Sequence, residues 1–150
     1  MKTIGSGFRK KETMMEYRLL TAEDAAALCR FVDDQQTLYE PESVISFLQR
    51  EGCYGFVAAD DKIVGFAYGY VLPRPDGKKD FYLHAMDIAM EMQGMGHGTK
   101  LVRFINHWRK QNGCRKMFLI TNQSNQAACR CYRNAGGNAP AEDDVVYVFE

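Results

Sequence analysis

The sequence predicts an α/β domain in which the strands of one central sheet are flanked by helices. Three observations carry that prediction. Apolar runs of strand length alternate with segments of helical periodicity; two strand-like runs flank a short polar turn; and a further strand leads through closely spaced glycines into an amphipathic helix.

Met1 to Thr13, with Gly5-Ser6-Gly7, reads as a flexible extension, and the domain is expected over residues 14–150. Met15 to Leu20 alternates as a strand, and Thr21 with Asp24 resembles a helix start before Ala25 to Val32. Asp33-Asp34-Gln35-Gln36 makes a polar connection. Pro41-Glu42-Ser43 begins a second short helix carrying Val44, Ile45, Phe47 and Leu48, with Gly52 just beyond its end. Tyr54 to Ala59 and Ile63 to Leu72 form a hairpin around Asp60-Asp61-Lys62, and Pro73, Pro75, Asp76 and Gly77 end its second strand. Phe81 to Ala89 is the strand before the glycine loop. The long helix after that loop stops at Gly113, Lys116 to Thr121 is a strand, and Asn125 to Asn134 a helix broken by Gly136-Gly137. Val145 to Phe149 supplies a last strand, whose near lack of alternation suggests burial on both faces, either closing the sheet or pairing across a homodimer.

With 150 residues, 46% of them hydrophobic, one domain with a real core is expected. Nineteen basic residues balance nineteen acidic ones, so net charge offers no general attraction to nucleic acid or anionic membrane. The five cysteines form no CxxC pair and no Cys/His cluster of zinc spacing, which favours reduced, mostly buried thiols and no metal site. No apolar run is long enough to span a bilayer, and the basic cluster Arg9-Lys10-Lys11 lacks the apolar core of a signal peptide. A cytoplasmic protein is expected.

Gln93-Gly94-Met95-Gly96-His97-Gly98-Thr99 is the most informative stretch. Glycines at 94, 96 and 98 remove Cβ atoms that would hold an anion off the backbone, so successive N–H groups can converge on a phosphate. The helix starting near Gly98 adds unpaired N–H groups and the positive end of its dipole. Leu101, Val102, Ile105 and Trp108 recur at helical spacing and tie the loop to a packed helix, with Lys100, Arg103, Arg109 and Lys110 facing water. A P-loop is disfavoured because Thr99-Lys100 reverses its Lys-Ser/Thr order at the wrong spacing. A Rossmann domain is disfavoured because the loop follows several strands and a hairpin.

The loop resembles the acetyl-CoA loop of the GCN5-related N-acetyltransferase (GNAT) family, which reads Gln or Arg, two residues, Gly, one residue, Gly or Ala; Gln93-x-x-Gly96-x-Gly98 matches it. A second family pattern, Asn-x-x-Ala-x-x-x-Tyr-x-x-x-Gly, is met by Asn125, Ala128, Tyr132 and Gly136. The chain departs from the family at Gly137, where an aromatic residue is frequent, and at Met90, where proline is common. The resemblance implies an acyl-CoA N-acyltransferase fold over Met14 to Glu150, with a mixed, mostly antiparallel sheet between helices.

It further implies acetyl-CoA as donor, its pyrophosphate on backbone N–H groups of Gln93, Gly94, Met95, Gly96, His97, Gly98 and Thr99. The pantetheine arm is expected to add as a strand along Ile88, Ala89 and Met90, with the Ala89 N–H as oxyanion donor. A primary amine attacks the thioester directly, and Tyr132 protonates the leaving thiolate. Asn125 contacts the pantetheine or caps its helix, and Ala128 completes the pattern. His84 and Asp87 are the candidate bases, His84 on one strand face with Tyr82, Met86 and Ile88, Asp87 on the other with Leu83 and Ala85 unless a bulge switches them. A strand histidine is commonly structural, and an aspartate there can simply balance an arginine.

Asp33, Asp34, Glu40 and Glu42 lie near the connection that in this family commonly helps form the acceptor site; they suit a cationic amine or are a solvated polar loop. Gly69 to Pro73 and Phe81-Tyr82-Leu83 are similar to aminoglycoside 3-N-acetyltransferases, although His84 and Ala85 stand where those enzymes carry tyrosine and aspartate. An aminoglycoside, a polyamine or another small cationic amine is the expected acceptor. The alternatives are a protein or peptide N-acetyltransferase and a non-catalytic acetyl-CoA sensor, against which Tyr132 argues.

Overall fold

Among the described residues five strands form one sheet in the order β1-β2-β3-β4-β5, antiparallel throughout except that β4 and β5 run parallel. The strands are β1 (Glu16–Leu19), β2 (Cys53–Ala59), β3 (Ile63–Pro73), β4 (Lys79–Ile88) and β5 (Met117–Phe118). Among the described residues four α-helices accompany them: α1 (Ala25–Leu28), α2 (Pro41–Gln49), α3 (His97–Gln111) and α4 (Gln126–Asn134). The computed structural model describes residues 14–31, 36–141 and 143–150. The expected N-terminal extension and the pair Asp33-Asp34 lie outside them. Among the described residues no helix is long and apolar enough to cross a membrane.

The sheet buries apolar side chains on both faces because its central strands alternate two sets of them. One set, with Val57, Ile63 and Phe66, packs on Leu20, Leu28, Phe31 and Val44 beneath α1 and α2. The other, with Phe56, Ala67, Phe81 and Leu83, packs on Leu101, Val102, Ile105 and Trp108 of α3, the four positions its periodicity marks. Leu101 and Ile105 are wholly buried, and removing such a side chain from water stabilises a fold by about 1.5–3 kcal/mol. Trp108 is the hub of this layer, its ring 4.6 Å from Tyr54, 5.0 Å from Phe56 and 5.3 Å from Phe81.

The start of α1 is held as expected: the Asp24 carboxylate accepts the Thr21 N–H at 2.8 Å and a two-pronged bond from Arg18 at 2.7 and 2.8 Å. The helix is shorter than expected. After Leu28 the chain tightens, with Arg30 N–H bonding the Ala27 carbonyl and Phe31 N–H that of Leu28, the three-residue spacing of a closing 3-10 turn.

Two expected strands need correction. The run Lys116 to Thr121 is strand only at Met117–Phe118, paired with Phe81 and Tyr82. Beyond it, among the described residues, no ladder joins the chain to β4, so that edge of β4 is unpaired from Leu83 onward. Val145 to Phe149 forms no strand and is not buried on either face: its five side chains are 63–95% exposed. A two-residue strand offers no ladder long enough to receive them.

Candidate active site

A β-bulge organises the site. Along most of their length β3 and β4 pair residue for residue, but Tyr68 faces Ala85 while Gly69 faces Leu83, so His84 is the extra residue. An extra residue switches the alternation of side chains. Phe81, Leu83, Met86 and Ile88 therefore pack toward α3, whereas Ala85 and Asp87 line a cavity on the opposite face, where His84 stacks on Tyr68. The two candidate bases, which simple alternation separates, share one face. Gly69 permits the bulge: a Cβ there would collide with the Tyr82 carbonyl oxygen and lie 2.8 Å from the Phe81 ring.

Below the bulge β4 pairs with β3 alone among the described residues, and its other edge has no ladder partner. The Ala89 N–H donates to the Val64 carbonyl at 2.8 Å, which corrects the expectation that it serves as an oxyanion donor. In an antiparallel ladder hydrogen-bonded and non-bonded pairs alternate, so with Val64 and Ala89 bonded, Met86 and Ile88 direct their N–H groups to the open edge. Gln93 reaches back there, its Nε2 donating to the Ile88 carbonyl at 3.0 Å.

Gln93 opens the glycine loop. Gly94 and Gly96 hold φ of 77° and 85°, and Gly96 is the N-cap of α3; side chains rarely adopt this left-handed backbone, and a Cβ at either glycine would point into open space. No side chain caps α3, so its first N–H groups face outward at the positive end of a fifteen-residue helix. Gly98 serves differently: a Cβ there would stand 3.1 Å from Cys131 Sγ and 3.5 Å from Met86 Cε, so it lets α3 pack closely on α4 and β4. His97 turns its ring inward, with Nδ1 2.8 Å from the Tyr17 hydroxyl.

Helix α4 begins with Asn125, whose Oδ1 accepts the Ala128 N–H at 3.1 Å. Of its two readings, helix capping is the one seen, and the Ala128 N–H is spent on it. One turn on, Tyr132 packs among the residues of the α3 layer. Burial, helped by the nearby thiols and the charge of Asp87, pushes its phenol pKa up to about 12, so it carries its proton throughout the neutral range. Arg103 secures the other end of α4, donating to the Asn134 carbonyl at 2.8 Å.

On the opposite face of the sheet lies a cavity of about 400 Å³ between α2, residues 37–39 and the strands β3 and β4. Tyr39, Phe47, Phe66, Tyr68 and Tyr70 wall it, and Asp87 is its one carboxylate among the described residues. His84 lies outside that lining, exposed, with its ring 5.3 Å from Tyr68, 5.8 Å from Tyr70 and 5.3 Å from Tyr82. Glu42 borders a neighbouring hollow beside Arg50. The sequence reading missed the aromatic wall, although Phe66-x-Tyr68-x-Tyr70 displays it at strand spacing. It also missed Tyr17, whose partner lies eighty positions away and leaves no local signal.

The sequence profile of the Acetyltransferase (GNAT) family matches residues 18–136. The uncharacterized N-acetyltransferase YobR of Bacillus subtilis (strain 168) is 39% identical over 49 residues, 33% of this chain and 20% of YobR, so the chain spans about a fifth of that relative's length. Among solved structures, an aminoglycoside acetyltransferase, meta-AAC0020 from an uncultured soil metagenomic sample, in complex with sisomicin superposes with a TM-score of 0.76 at 21% identity, covering 91% of this chain and 95% of its own. A ribosomal-protein-alanine N-acetyltransferase from Brucella melitensis biovar Abortus 2308 gives 0.74 at 20% identity over 91% and 99%. At these identities the superpositions establish the fold, a mixed five-stranded sheet between helices. The family match extends from β1 to the glycine that ends α4 and takes in both the glycine loop and Tyr132: the chain belongs to the GNAT acetyltransferase family.

Proposed function

We propose that this protein transfers an acetyl group from acetyl-CoA to a primary amine by direct attack, with donor and acceptor bound together. The observation that carries the reading is the unpaired edge of β4, whose Met86 and Ile88 share an apolar layer with the buried, protonated phenol of Tyr132, together with the glycine-capped N-terminus of α3.

The residues fit an acyl-CoA. Gly94 and Gly96 leave open the space a Cβ would fill, and the backbone from Gln93 to Thr99 would hold the pyrophosphate. The outward N–H groups of Met86 and Ile88 would take the amide arm as an added strand, with the Ile88 N–H rather than that of Ala89 placed for the thioester oxygen. Bound there, acetyl-CoA supplies an activated acyl group and a thiolate leaving group. Tyr132 holds its proton at Oη for that sulfur. A pKa near 12 makes it a reluctant acid toward a thiol of pKa about 8.5 in water, but the burial that raises the phenol raises a thiolate beside it as well. Asp87 would orient the acceptor nitrogen from the cavity, and His84, exposed next to the bulge, would pass a proton to solvent.

Thiol release with a panel of amines, run beside calorimetric titration of acetyl-CoA, tests this. Turnover slowed in Tyr132→Phe with donor affinity unchanged supports it. Tight donor binding without turnover on any amine identifies a sensor instead, and absence of donor binding overturns the reading of the glycine loop. We also place the protein in the cytoplasm, where acetyl-CoA is available, and assign the exposed stripe Val145 to Phe149 to pairing with a second copy of the chain, since a two-fold axis lets one exposed apolar segment meet itself.

A further inference from the structure

We infer that the acceptor is a monoamine carried on an aromatic or bulky apolar body, rather than a polycation such as an aminoglycoside or polyamine. This rests on the acetyltransferase reading and deepens it. The cavity facing Asp87 is walled by rings set nearly at right angles: Phe47 to Tyr68 at 5.6 Å and 80°, Phe47 to Tyr70 at 5.9 Å and 78°, Tyr39 to Phe66 at 5.1 Å and 79°. Such corners present a ring face to one side of a guest and a ring edge to the other, the arrangement that holds a flat apolar group. Leu20 and Val44 add aliphatic surface.

Charge points the same way. A ligand with several ammonium groups needs several carboxylates, because each desolvated charge left unpaired costs binding energy. Among the described residues the cavity offers one, Asp87, and the adjoining hollow sets Arg50 against Glu42. A single ammonium beside Asp87 is satisfied by that carboxylate and by ring faces that attract cations within about 6 Å. At about 400 Å³ the cavity lies in the ordinary range for a small-molecule site. A single amine at Asp87 with its apolar body directed along Tyr68 toward Phe47 uses every one of these features.

Calorimetric titration of the full chain, with and without CoA, decides the matter with 2-phenylethylamine, spermidine and sisomicin as probes. The expected result is that 2-phenylethylamine binds at least tenfold more tightly than either polycation. Tyr68→Ala should weaken it by about tenfold, and Asp87→Asn should weaken it while leaving 2-phenylethanol unaffected. A polycation binding as tightly or more tightly, or no 2-phenylethylamine binding in either state, overturns the inference. The CoA titration reports separately on the donor reading: loss of CoA binding overturns that reading, while the ranking of amines still decides this one.

Discussion

The Tyr17 hydroxyl and His97 Nδ1 lie 2.8 Å apart, joining the first strand of the sheet to the first residue of α3. That bond ties the start of α3, whose N-cap Gly96 has no side chain to hold it, to the edge strand β1. Tyr17→Phe should cost about 1 kcal/mol of stability and weaken CoA several-fold. Urea unfolding and calorimetry check the two effects, and an unchanged CoA affinity would show that the bond does not position the loop.

Gly69→Ala tests the bulge. Its new Cβ meets the Tyr82 carbonyl and the Phe81 ring, so destabilisation of about 2–4 kcal/mol is expected. Urea denaturation gives the value; a variant as stable as the parent would mean that the strands pair without the extra residue at His84.

Tyr132→Phe should lower kcat roughly 100-fold, the lower end for loss of a general acid, with acetyl-CoA affinity held. Because the phenol pKa is raised to about 12, Tyr132 stays protonated well into the alkaline range. A fall in kcat between pH 7 and 9 that disappears in Tyr132→Phe would contradict this.

Acid should loosen the fold through Asp24 and Asp80. Arg18 and Arg115 respectively hold their carboxyl pKa values below the ordinary range. A carboxyl whose folded pKa is depressed contributes stability above its unfolded pKa, about 3.9, and loses it as pH falls through the folded value. Stability should therefore drop as pH is lowered below about 4. Asp80→Asn should flatten that drop, read from thermal midpoints at pH 3 to 7.

Replacing Val146 and Val148 by aspartate should convert a dimer to monomer in sedimentation equilibrium, since both side chains are exposed apolar groups of the stripe. A parent protein that is already monomeric would remove the second copy as its partner.

Local signals made much of this fold legible. The α3 periodicity, the hairpin about residues 60–62 and the glycine loop are each decided within a dozen residues, where repeat and turn chemistry act. What escaped depends on distant partners. The Ala89 N–H reads as free until Val64 is placed opposite it, and His84 and Asp87 read as opposed until the pairing with Gly69 inserts a bulge. Val145 to Phe149 has the composition of a strand, but composition cannot supply the neighbour a strand requires.

From Ala85 to Ile88, β4 has a ladder partner on one side only among the described residues. Bare strand edges are the template on which chains clump, and natural sheets generally blunt them with charge, proline or a covering loop. Here the Gln93 side chain covers the Ile88 carbonyl, and on the proposed function an acyl-CoA would cover the rest. Ligand-free protein would then aggregate and be cleaved by proteases more readily than protein saturated with CoA.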